Sequence, residues 1–177
     1  MSQQTLVIAT RNSGKLFELR QLLRDLPFIL CDLNSFPLIE SVRETGATFA
    51  ENVCLKARVY AEQTGSLALA DDSGLEVDSL GGAPGVYSAR YAGAGASDAQ
   101  RIEKLLAELS KGVPGDRAAR FVSAVAIANS GGRILSVSSA FVKVASQRCR
   151  EGQTVSATIR CLFRTATVRR LESCQMK

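Results

Sequence analysis

Thr5-Leu-Val-Ile-Ala-Thr10, followed directly by Arg11-Asn-Ser-Gly-Lys15, is the stretch from which the rest of the chain is best read. The first half is a short apolar run rich in β-branched residues, which predicts a strand; Arg11 to Gly14 supplies turn chemistry. From Lys15 the apolar residues Leu16, Leu19, Leu22 and Leu23 recur at helical spacing. Pro27 stops that pattern, and Phe28-Ile-Leu-Cys31 begins another extended run. The opening is therefore strand, polar loop, helix, strand.

Further along, a helix is expected from Thr48 to Thr64, with Phe49, Val53, Ala57 and Tyr60 on one apolar stripe. Thr48, Asn52 and Lys56 fall four apart on a different, polar face, which can present them together to an anion. Leu67-Ala-Leu-Ala70 reads as a brief buried strand ending in Asp71-Asp-Ser-Gly74, with the glycine-rich Gly81-Gly-Ala-Pro-Gly85 beyond it. Val86 to Tyr91 has the alternation of a simple strand. Ser97 starts a helix that carries Ile102, Leu105, Leu106 and Leu109; after Pro114, strands are expected over Phe121 to Ala128 and Ile134 to Val137.

With 177 residues, 46% of them hydrophobic, the chain can bury one substantial core. The absence of any run of about 18 apolar residues argues against a membrane span. Since the start of the chain also lacks a basic region and a small-residue cleavage site, a cytoplasmic location is expected. The five cysteines are odd in number and widely spaced, without a C-x-x-C pair, and read as idle thiols. The net charge of +5 is uneven: residues 141 to 177 hold eight Lys or Arg against two acids, leaving fourteen against fifteen in the first 140. That tail leaves nucleic-acid binding open as a competing function, but Phe163 is its one aromatic after Phe141 to stack on bases.

Three segments carry chemistry. The loop Thr10 to Lys15 lies between strand and helix, where backbone N–H groups and the helix dipole favour a phosphate and a lysine adds charge; a capping loop with a solvated lysine would look the same. It is not a Walker A loop, whose spacing is absent. Asp71 and Asp72 could hold Mg2+ or activate water, or could decorate a turn. Glu44 and Glu51 flank Thr45-Gly46 and could each add an oxygen ligand, although an acid in a first helical turn, as Glu51 would be, is stabilised without a metal.

Taken together, T-x-N-x-x-K at Thr10 to Lys15, E-T-G-x-T-F-x-E-N at Glu44 to Asn52, Lys56-Ala57, A-D-D-S-G-L at Ala70 to Leu75 and G-G-A-P-G-x-Y-S-A-R-Y at Gly81 to Tyr91 resemble the ITP/XTP pyrophosphatase family, also called Ham1-like or RdgB-like. The resemblance covers residues 5 to about 140. It implies a two-lobed α/β fold of the Ham1/Maf type, with a long twisted mixed sheet, a cleft between the lobes and a homodimeric assembly. It also implies hydrolysis of dITP, ITP and XTP to the monophosphate and pyrophosphate. The triphosphate would be held by Thr10, Asn12, Lys15 and Lys56, with Arg11, Ser13 and Gly14 completing the loop. Glu44 and Asp72 become Mg2+ ligands, Asp72 the catalytic acidic residue and Ser73 a substrate contact, with Asp71 a further candidate beside it. The expected chemistry is attack of water on the α-phosphorus.

The chain departs from that family after Ile134 to Val137, where G-F-G-Y-D-P, a lysine and S-H-R should enclose the purine base. None is present, and the sequence contains no histidine. Residues 1–140 therefore read as the pyrophosphatase-like domain and 141–177 as a divergent basic tail. Gln153 to Cys161 can be encoded CAA ACG GTT TCG GCT ACG ATC CGC TGT, which in a frame displaced by two bases reads N-G-F-G-Y-D-P-L, and a Leu162 codon beginning TT completes a following F. A frameshift near Ala140 or Phe141 is thus expected, with an inactive nucleotide-binding remnant as the alternative to an enzyme.

Overall fold

The computed structural model describes residues 3–112, 118–144 and 168–170. Pro114, most of the basic tail, its three cysteines, Phe163 and the stretch read in the displaced frame lie outside the described residues.

The element order is mixed α/β, as expected. Strand β1 (Gln4–Ala9) leads into helix α1 (Ser13–Leu23) and strand β2 (Phe28–Asp32); helix α2 (Phe49–Thr64) precedes strand β3 (Leu67–Val77). Helix α3 (Asp98–Leu109) is followed by strands β4 (Ala119–Ala128), β5 (Ile134–Val144) and β6 (Val168–Arg170). The strands form a mixed sheet in the order β2-β1-β3-β4-β5-β6. β1 runs parallel to both neighbours, with Leu6 opposite Leu30 and Leu67, whereas β6 is antiparallel to β5. By compactness the chain divides into two units, one holding the chain up to Asp72 with Ala124–Ser139, the other Ser73–Ser123 with the described residues from Ala140 on.

In the first unit β1 is the centre of the core: Leu6, Val7, Ile8 and Ala9 are all buried, because a parallel strand with neighbours on both sides needs apolar groups on both faces. Helix α2 packs on it with the expected stripe of Phe49, Val53, Ala57 and Tyr60. Both ends of α2 are closed. Thr48 and Glu51 form a capping box at the start, and Gly65 at the end takes the left-handed conformation that glycine adopts without steric cost. Helix α1 covers less, and Phe17 and Leu22 remain exposed.

Two local expectations differ from the structure. β3 does not stop at Ala70 but continues through Asp71-Asp-Ser-Gly74 to Val77. The turn-forming residues stay extended because the strand is already paired in the sheet and Asp71 pairs through Oδ2 with the distant Lys15 rather than with a local turn. Gly85 to Arg90 forms a 3-10 helix instead of a strand. Tyr87 N donates to Pro84 O at 3.0 Å, and Ser88 Oγ donates to Gly85 O at 2.6 Å while accepting from Leu75 N at 3.0 Å.

The second unit is tied together around α3. Arg101 donates to Ala89 O at 2.6 Å and Lys104 to Tyr91 O at 2.7 Å. The Tyr91 hydroxyl donates to Glu108, and burial first, then that bond and the carboxylate charge, push its phenol up to about 12. Arg120 Nε of β4 pairs with Glu76 of β3 at 2.6 Å.

Candidate active site

The loop after β1 is shaped by its own side chains. Thr10 is buried, and its hydroxyl accepts weakly from Asn12 N at 3.4 Å; Asn12 Oδ1 in turn caps α1 by accepting from Lys15 N at 3.1 Å. The capping and anion-binding readings of the loop are therefore compatible, since one cap satisfies one amide while the other first-turn amides have no acceptor within the helix. Gly14 keeps the turn tight: a Cβ there would stand 3.2 Å from Asn12 Oδ1. Arg11 and Ser13 are exposed on the rim of a cleft of about 470 Å3, whose far wall includes Leu33, Phe36 and Ile39.

Lys15 Nζ reaches Asp71 Oδ2 at 2.5 Å. On α2, Lys56 Nζ lies 3.1 Å from Glu44 Oε1 and donates to the Asp71 carbonyl at 2.6 Å. Asn52, one helical turn earlier, donates to Asp72 Oδ2 at 3.3 Å. Successive residues of a strand face opposite ways, so Asp71 and Asp72 engage different partners, Lys15 for one and Asn52 for the other. Lys15, Lys56, Glu44, Asp71 and Asp72 thus meet in one network within the first unit. Ser73 follows Asp72 on the same strand, half-buried, in the second unit.

The network holds two ammonium groups and three carboxylates. Asp71 is only 6% exposed, and its Oδ1 is buried without a hydrogen-bond partner. An oxygen-only donor set of surplus negative charge suits a hard divalent cation, and a buried orphan carboxylate oxygen is costly unless something positive or a donor reaches it. Among the described residues no group of three or more His, Cys, Asp or Glu side chains is placed to hold a metal ion by itself. That does not conflict with Mg2+, which keeps several waters and takes one or two carboxylates together with substrate phosphates. The residues present fit it.

Glu51 takes the other role open to it. Its Oε2 accepts from Ala47 N at 2.6 Å and Thr48 N at 3.2 Å, which makes it a cap. Asn52 lies on the polar face expected from its four-residue spacing with Lys56, but that spacing alone does not mark it as a partner of Asp72. Gly46, which in sequence is a bare turn residue, is required by packing: a Cβ there would lie 2.7 Å from Glu51 Cβ and 2.8 Å from Asn52 Oδ1.

The sequence profile of the Ham1 family matches residues 6–154. A protein of Synechococcus sp. (strain CC9311) is 54% identical over 135 residues, 76% of this chain and 62% of that protein. One of Geobacter sulfurreducens is 52% identical over 128 residues, 72% of this chain and 64% of that protein. Both are named dITP/XTP pyrophosphatase. The chain thus spans less than two thirds of the length of these relatives. Among solved structures, a HAM1 protein from Coxiella burnetii superposes with a TM-score of 0.77 at 40% identity, covering 85% of this chain and 77% of the other. The Staphylococcus aureus Ham1 protein gives 0.71 at 35% identity with the same coverage.

Proposed function

This chain belongs to the Ham1 family, and from that premise we propose that it is a Mg2+-dependent pyrophosphatase acting on the purine nucleoside triphosphates dITP, ITP and XTP. The products are the monophosphate and pyrophosphate. The observation that carries this reading is the network in which Lys15 meets Asp71, and Lys56 meets both Glu44 and the Asp71 backbone. Two lysines delivered by separate helices onto a strand that bears paired carboxylates suit a polyanion accompanied by a cation.

In the proposed reaction the first-turn amides of α1 with Thr10, Arg11, Asn12, Ser13, Gly14 and Lys15 bind the phosphates from one side, and Lys56 binds them from α2. Both lysines exchange part of their present carboxylate contact for phosphate oxygens. Glu44 and Asp72 are the residues that would hold Mg2+, and bound there it would neutralise phosphate charge and stabilise the leaving pyrophosphate. Asp72 orients a water and accepts its proton as the water oxygen bonds to the α-phosphorus. The bond from that phosphorus to the bridging oxygen breaks, and pyrophosphate departs with the electron pair. Ser73, next along the strand, is assigned a substrate contact.

These residues recognise what every nucleoside triphosphate shares. The base-reading segments expected of the family are absent from the sequence as it stands, so this chain should act on the triphosphate end with little choice among purines. A homodimer and a cytoplasmic setting complete the proposal; among the described residues no helix is long and apolar enough to cross a membrane. The test is pyrophosphate release from dITP with and without Mg2+: release that needs the cation supports the assignment, and binding of dITP without any release would make the chain a nucleotide-binding remnant.

A further inference from the structure

We propose that Asn52 is a positioning residue that holds Asp72 and the loop bearing Glu44 in one arrangement; this rests on the reading above of Asp72 and Glu44 as the metal-handling pair. Asn52 is fully buried, and both ends of its amide are used. Its Oδ1 accepts from Gly46 N at 2.8 Å, and its Nδ2 donates to Asp72 Oδ2 at 3.3 Å. Those partners fix which way the amide faces. Turned over, it would set NH2 against the Gly46 N–H and a carbonyl oxygen against a carboxylate, two repulsive contacts in a buried place.

The bridge has little slack at either end. On one side Asn52 sits in the first turns of α2, held by the Thr48–Glu51 capping box. On the other, Gly46 approaches so closely that no Cβ fits between it and Asn52, and Glu51 binds the next two amides. Glu44 is two residues upstream of that clamp, and its carboxylate is met by Lys56, one helical turn beyond Asn52. One helix face therefore sets both carboxylates, Asp72 through a neutral donor and Glu44 through a cation.

The experiment compares the full chain with Asn52→Ala and Asn52→Ser, titrating Mn2+ in place of Mg2+ by its paramagnetic signal, without nucleotide, and then measuring steady-state turnover of dITP. Each variant should bind Mn2+ about tenfold or more weakly and lose a similar factor in kcat, with KM for the triphosphate changed less, because the lysines that hold phosphate are untouched. In an Asp72→Asn background, Asn52→Ser should cause a smaller further loss of Mn2+ affinity than in the unsubstituted chain, because only its hold on the loop bearing Glu44 is then left to lose. Thermal unfolding is followed in parallel; should the alanine variant fail to fold, the serine variant decides. A folded Asn52→Ser protein with unchanged Mn2+ affinity and kcat, beside an Asp72→Asn protein that has lost both, would overturn the positioning role and leave the proposed function standing. An unsubstituted chain that neither binds Mn2+ nor releases pyrophosphate would overturn both.

Discussion

Asp72, Lys15 and Lys56 differ in what removing each would expose. Lys56→Ala takes away a cation whose side chain is only 14% exposed, leaving Glu44 and the Asp71 carbonyl without it, whereas Lys15 is 31% exposed and its loss can be partly made good by water. Both substitutions should weaken triphosphate binding more than monophosphate binding, by about tenfold each, since a hydrogen bond to a charged group contributes roughly 1.5–3 kcal/mol. Titration of the two ligands checks this; equal losses for both would remove the lysines from the phosphate site. Of the two, Lys56→Ala should cost more thermal stability. Asp72→Asn keeps the shape and the contact region of Asn52 but removes the charge, so it should abolish Mg2+-dependent turnover while the protein stays folded. Near-normal turnover by that variant, measured beside its circular dichroism, would remove Asp72 from the chemistry.

At the scale of elements, α2 carries Asn52 and Lys56 and was the most legible part of the chain. Its apolar stripe, its capping residues and the four-residue spacing of Thr48, Asn52 and Lys56 are all written at helical period. The caps make a direct prediction: Thr48→Ala should lower stability by about 1 kcal/mol, read as a lower unfolding midpoint, and loosen the clamp on the Glu44 loop. An unchanged midpoint would mean that the capping box contributes nothing. β3 was less legible, because Asp-Asp-Ser-Gly is the composition of a turn, and only sheet pairing and the Lys15 contact, both distant in sequence, keep it extended. The 3-10 helix after the glycine segment was hidden for a related reason: alternation over six residues cannot be told from a turn series held by Ser88. The Lys15–Asp71 and Asn52–Asp72 contacts, between residues 56 and 20 positions apart, leave no local pattern to read.

For the whole molecule, the proposed site for phosphate stands beside a sequence that lacks the family's base-reading segments. We propose that the segment for the base is encoded in the displaced frame, and resequencing the gene around the codons for Ala140 and Phe141 checks this; codons incompatible with N-G-F-G-Y-D-P would end the idea. A frame-restored chain should prefer ITP over ATP, because a pocket that hydrogen-bonds the 6-keto group leaves polar groups unpaired against a 6-amino group. The chain as written should discriminate little between them. Its central assignment is tested most directly by pyrophosphate release from dITP, ITP and ATP by the purified chain, with Mg2+ and with chelator. Release from all three is expected at comparable kcat/KM, lost with chelator and lost in Asp72→Asn; release that persists without a divalent cation or in that variant, or no release from any of them, would contradict the assignment.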